Sequence, residues 1–204
     1  MSDSSLSRNA GQLALATGAA FALVDLARWA FTRPDDKLGM MADPLFLVAN
    51  GAYFFAFVGL ALGLVALHGQ LAPRTGRFGL VAFVTALAGT MTQGGNMWFD
   101  GFAVPWLAAV APQVFTAEPT ITLQVGALAA YSLFALGWML FGVAVLRARV
   151  VPAAIPVALV LGGVLGYQSG LAPYGVPLGL AVAALGVGLR RAAHRSALVP
   201  ARER

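Results

Sequence analysis

Six stretches of this 204-residue chain, about 10–32, 44–69, 77–98, 121–147, 151–170 and 172–190, are almost free of charge and each is close to twenty residues long. A hydrocarbon layer of about 30 Å takes roughly twenty apolar residues to cross as a helix. Lipid offers the backbone no hydrogen-bond partners, so each stretch is expected to be helical. The expected fold is therefore all-α: one polytopic membrane domain over residues 1–204, a bundle of six transmembrane helices. Composition agrees, since 59% of residues are hydrophobic and 10% charged, against about 25% charged in ordinary soluble domains. The last two stretches are divided by Pro173 and Pro177, which interrupt a helix.

Charge placement orients the spans. Arg8, Arg74, Arg77, Arg147, Arg149 and the terminal Arg190, Arg191, Arg195, Arg202 and Arg204 all fall on one side of a six-span chain. On the other side, Arg33 and Lys37 are offset by Asp35, Asp36 and Asp43, and the connection 99–120 carries Asp100 and Glu118 with no cation. The positive-inside rule puts both termini in the cytoplasm of a multi-pass plasma membrane protein. The single lysine beside twelve arginines suggests a GC-rich bacterial source and so a bacterial inner membrane. Residues 13–22 resemble the apolar region of a signal peptide, but the run continues past Ala22, which favours a retained first span. Residues 105–111 read as a short interfacial helix between spans three and four, opened by Pro105 and anchored by Trp106.

Much chemistry is excluded. There is no cysteine, so thiol redox chemistry, disulfides and Cys-ligated metals are out. The two histidines, His68 and His194, lie far apart and on no shared ligand pattern, so no metal site or cofactor is expected. Gly166-Tyr167-Gln168-Ser169-Gly170 has the spacing of a nucleophile elbow, but it follows no strand and has no histidine base. The net charge of +5 sits at segment ends, which is not a nucleic-acid footprint. GxxxG spacings at Gly59/Gly63, Gly162/Gly166/Gly170 and Gly175/Gly179 allow close helix approach, within the chain or between two copies.

Two stretches carry a family likeness. Gly79-Leu80-Val81-Ala82-Phe83, Ala88-Gly89-Thr90, Trp98, Pro105 and Ala108-Ala109 form the first; Leu136-Gly137-Trp138-Met139-Leu140-Phe141-Gly142 with Arg147 and Pro152 forms the second. Over about residues 44–165 the chain resembles uncharacterised six-helix bacterial integral membrane proteins. The resemblance implies the fold and no particular activity.

Polar side chains in the apolar stretches are concentrated at one end. Asp25, Arg28, Asn50, Tyr53, Gln93, Asn96, Gln124, Tyr131, Tyr167 and Gln168 all fall in the half that topology assigns to the outer leaflet. Asp25/Arg28, Asn50/Tyr53 and Gln93/Asn96 are i,i+3 pairs, and Gln93, Asn96 and Asp100 form one stripe. Ionisable residues in membrane spans usually face the bundle interior or a wet cavity. The expected site is an outward-facing polar pocket for a membrane lipid, an isoprenoid-like amphiphile or another hydrophobic small molecule. Arg28, Asn50, Tyr53, Gln93, Asn96, Gln124, Tyr131, Tyr167 and Gln168 would bind it. Asp25 and Asp100 are the candidate acids for an intramembrane enzyme such as a terpene cyclase, with Tyr53, Tyr131, Tyr167, Trp29 and Trp98 offering ring faces to a cation. The alternatives are a non-catalytic accessory or sensory subunit, or a small-molecule transporter subunit.

Overall fold

The computed structural model describes residues 3–31 and 35–198, without side-chain placement for residues 3–8, 37 and 195–198. Arg33, Arg202 and Arg204 lie outside the described residues, as do the side chains of Arg8, Lys37 and Arg195. Every regular element among the described residues is helical: α1 (Asp3–Phe31), α2 (Lys37–Ala42), α3 (Pro44–Trp98), a π-helical turn (Phe99–Ala103), α4 (Val104–Val110), a 3-10 turn (Pro112–Phe115), α5 (Ile121–Ala148), α6 (Ala154–Gly166) and α7 (Val176–Leu198). Four helical stretches are long and apolar enough to cross a membrane: Asn9–Phe31, Pro44–Val110, Ile121–Ala148 and Val176–His194.

The stretches 44–69 and 77–98 belong to one element, α3, which reverses at Gly76 (φ 57°, ψ −151°), a conformation that suits glycine. Its two arms run antiparallel. His68 stacks on Phe83 with ring centroids 4.1 Å apart, Gly94 faces Phe57, and Gly101 in the π-turn faces the Gly51 backbone. The stretch 151–170 is helical only over Ala154–Gly166, 13 residues, or about 20 Å at 1.5 Å per residue. It ends there because residues 167–175 form a chain of turns leading to α7. The expected short helix at 105–111 is found as α4, entered through the π-turn.

The packed segments form a ring in chain order: α1, the two arms of α3, α5, α6, α7, and α1 again. Neighbours are antiparallel, and the ring closes where Gly11 meets Arg190 and Gly18 meets Ala183. Both ends of the described chain therefore lie at one end of the bundle. Glycine makes the seams. A Cβ on Gly18 would fall 2.5 Å from Ala183 N, and one on Gly89 would fall 2.5 Å from Leu133 O. Such backbone approach is what small residues provide where lipid supplies no hydrophobic drive to association.

The centre is aromatic. Phe21, Phe57 and Phe134 pack in series, edge-to-face and tilted, with centroids 4.9 and 5.5 Å apart, and Phe134 leads to Trp138 and Phe141. The Trp138 indole donates to Thr90 Oγ1 at 3.1 Å, and the Thr90 hydroxyl donates to Ala86 O at 2.7 Å. This fixes α5 against the second arm of α3. The perimeter is apolar too, with Leu23, Phe55, Leu62, Val81, Leu128 and Leu180 all exposed. An apolar shell of that extent would aggregate in water and suits a hydrocarbon surround.

Candidate functional site

Polarity is concentrated at the end of the bundle that carries the π-turn and residues 167–175. Arg28, late in α1, is the hub. Its Nε donates to Asn50 Oδ1 at 3.1 Å, one terminal nitrogen donates to Gly170 O at 3.2 Å, and the other pairs with Asp25 Oδ1 at 3.5 Å. Its guanidinium lies over the Tyr53 ring, 4.3 Å from the centroid. Asn50 is held in turn by its own helix, its amide donating to Phe46 O at 2.8 Å.

Asp25 has no exposed surface. Its Oδ2 accepts the backbone N–H groups of Gly175 and Val176 at 2.8 and 3.1 Å. Those donors open α7, and a helix start leaves its first N–H groups without intrahelical partners. A carboxylate from α1 thus caps α7 across the ring seam, at the end where the helix dipole favours negative charge. The Tyr53 hydroxyl is buried beside this carboxylate without a well-formed hydrogen bond.

A second cluster lies on the second arm of α3 and on α5. Gln93 is fully buried, its Oε1 accepts from Asn96 Nδ2 at 3.1 Å, and its own amide nitrogen has no well-formed hydrogen bond among the described residues. The Tyr131 hydroxyl reaches the Gln93 side chain and lies against Gly170, and its ring meets that of Tyr167 at 6.1 Å. Gly170 therefore sits between the two clusters: its carbonyl is bound by Arg28 and its Cα is covered by Tyr131.

Between α1, α2, the start of α3, the π-turn and residues 170–172 lies a cavity of about 250 Å³. Arg28, Asn50, Asp43 and Asp100 supply its polar wall, and Phe31, Phe46 and Leu171 belong to its apolar wall. Asp100 is delivered by the π-turn, a backbone form often found at functional sites. Its carboxylate feels the Arg28 charge but makes no hydrogen bond or ion pair among the described residues. A different groove of about 680 Å³ separates the second arm of α3 from α5, lined by Asn96, Thr92, Gly95 and Gly126.

The residues expected to form the site therefore divide. Arg28, Asn50 and Asp100 line the cavity. Asp25 and Tyr53 lie behind that wall, and Gln93, Asn96 and Tyr131 form the neighbouring cluster. Gln124 is exposed and its amide donates to Pro119 O at 2.9 Å, so it serves the start of α5 rather than the cavity. Tyr167 and Gln168 are exposed, as are Trp29 at 57% and Trp98 at 50%, so these rings do not wall the cavity. Ser169, in the elbow-like motif, is completely buried, and its hydroxyl has no hydrogen-bond partner among the described residues. No three His, Cys, Asp or Glu side chains among the described residues converge as a metal site would require.

Sequence reasoning missed four contributors, Gly170, Asp43, Met40 and Met41. The Gly170 carbonyl carries no side-chain signal. Asp43 caps α3, its Oδ1 accepting from Leu45 N at 2.9 Å, and the Asp43-Pro44 pair is a readable helix start. Met40 and Met41 line the cavity from α2, a helix too short to stand out by periodicity. Compared with known protein families, curated proteins and solved structures, the chain matches none.

Proposed function

We propose that this chain is a six-span protein of a bacterial inner membrane, with both termini cytoplasmic, and that it binds an amphiphile in an outward-facing cavity beside Arg28. Four apolar stretches of spanning length support the membrane reading, and the reversal of α3 at Gly76 makes two crossings of one of them. The short α6 supplies a further crossing when the turns on either side complete it. The cationic Arg74, Arg77, Arg147 and Arg149 then share the cytoplasmic face with the chain ends.

The observation that carries the binding reading is the composition of the 250 Å³ cavity. It pairs a guanidinium, an amide and a carboxylate with phenylalanine, leucine and methionine side chains. A polar head and an apolar tail are satisfied together by such walls. Acid catalysis in the same cavity is the second reading, favoured by an Asp100 carboxylate that makes no hydrogen bond or ion pair among the described residues. It falls behind binding because the tryptophans that would steady a carbocation lie on the perimeter. Asp25, the other candidate acid, has its oxygens engaged by the start of α7 and by Arg28.

The test is mass spectrometry of lipids extracted from the protein purified in mild detergent, for wild type and for Ala49→Trp, which fills the cavity from the first arm of α3. A species enriched over bulk membrane lipid in wild type and lost in the folded variant is expected. Identical extracts matching bulk lipid from both proteins would refute the proposal.

A further inference from the structure

The presence of Arg28 in the wall first suggests an anionic ligand, but the local charge balance points the other way. Arg28 already has a carboxylate partner in Asp25 at 3.5 Å, and each of its three nitrogens donates within the protein, to Asn50, Asp25 and Gly170. The cavity wall also holds Asp43 and Asp100. Asp43 is engaged, its Oδ1 accepting at the cap of α3 and the residue held by a further interaction. Asp100 spends neither oxygen on a hydrogen bond or ion pair among the described residues, and its oxygens are not sealed off from the cavity. With Asp25 paired to Arg28, the Asp100 carboxylate is the group in this wall that faces the void without a hydrogen bond or ion pair among the described residues. A carboxylate held in a confined, partly desolvated wall is costly unless a cation or donor meets it.

Resting on the amphiphile-binding reading above, we infer that the headgroup this cavity accepts carries a protonated amine, with Asp100 as its acceptor. An ammonium at the Asp100 carboxylate gives a charge-assisted hydrogen bond. Its first methylenes lie against Phe31, Phe46 and Leu171. The Arg28–Asp25 pair stays intact behind it, and Asn50 Oδ1, already receiving Arg28 Nε, is the second oxygen in the wall. A carboxylate or sulfate headgroup would instead have to sit against the Asp100 carboxylate. An amine of this kind arrives either as a long-chain alkylamine or as the ethanolamine head of a phospholipid.

Native mass spectrometry of the full chain in detergent micelles separates the cases, with hexadecylamine, hexadecanol and palmitate as probes, and phosphatidylethanolamine against phosphatidylglycerol as a second pair. One charge-assisted hydrogen bond predicts about a 10–100-fold preference for hexadecylamine over hexadecanol, with palmitate weakest. Asp100→Asn is expected to abolish that preference and Asp100→Glu to retain most of it. A matching preference for phosphatidylethanolamine, also lost in Asp100→Asn, identifies the phospholipid as the source; selectivity confined to hexadecylamine identifies the free amine. Hexadecanol or palmitate binding as well as hexadecylamine overturns the ammonium assignment and leaves the amphiphile reading standing. Binding of none of the probes, in a wild-type protein shown to be folded, overturns both.

Discussion

Asp25→Asn tests the capping role most directly. In the native fold Asp25 has no exposed surface, accepts two backbone N–H groups at 2.8 and 3.1 Å, and faces Arg28 at 3.5 Å. The amide keeps one carbonyl oxygen, so one of the two α7 bonds survives. The other donor loses its acceptor and Arg28 loses its buried counter-charge. A hydrogen bond to a charged group is worth about 1.5–3 kcal/mol, and breaking a buried ion pair by removing one partner costs about 3–5 kcal/mol. These terms describe overlapping losses at a single carboxylate and are not summed. The expected cost is about 3 kcal/mol for Asp25→Asn and up to about 5 kcal/mol for Asp25→Ala. At about 1.4 kcal/mol per factor of ten, the smaller figure shifts the unfolding equilibrium more than a hundredfold. The assay is reversible unfolding in mixed micelles of mild detergent and dodecyl sulfate, followed by the helical circular dichroism signal. Asp100→Asn is the matched control, a carboxylate without hydrogen bonds in the described fold, and should cost under about 1 kcal/mol. If Asp25→Asn unfolds within about 0.5 kcal/mol of wild type, the cap across the α1–α7 seam contributes nothing and the reasoning fails.

The topology is open to labelling, because the chain contains no cysteine of its own: a membrane-impermeant maleimide should modify Glu118→Cys in intact spheroplasts but Arg149→Cys only after permeabilisation, and the reverse pattern would invert the proposed orientation. Trp138→Phe removes the indole donor to Thr90 and should cost about 0.6 kcal/mol, the mean for hydrogen bonds between membrane helices, read in the same unfolding assay. Gly89→Leu should prevent folding outright, since even a Cβ there would lie 2.5 Å from the Leu133 carbonyl oxygen; a stable, folded Gly89→Leu protein would contradict the described α3–α5 seam.

Much of this architecture is written along the chain. Runs such as 121–146 carry no charge and are mostly apolar, and a hydrocarbon medium leaves the backbone in them one option, the helix. The break near Gly76 was legible from the arginines around it, though its form, one residue in a left-handed conformation within a continuous helical element, was not. The concentration of polar residues at one end was equally visible, because topology depends only on chain order. The division of labour among them was not. Asp25 and Asp100 are both carboxylates beside apolar residues, and sequence ranks them alike. One is buried against the start of a helix 150 residues away and the other opens into a cavity, and no local pattern carries that distinction. Gln124 shares a helical face with Tyr131 in the sequence, yet it bonds to Pro119 O, because the start of α5 lies beyond the packed part of the bundle.

That this chain is helical, apolar on a membrane-spanning scale and polar at one end follows from residue transfer energies and backbone satisfaction, one segment at a time. That the segments close into a ring, that glycines form its seams, and that Arg28 is neutralised from behind while Asp100 faces a void emerges only when the helices are packed together. Those outcomes depend on distances between segments far apart in the chain, where an ångström of backbone approach decides which carboxylate is sealed and which is left open.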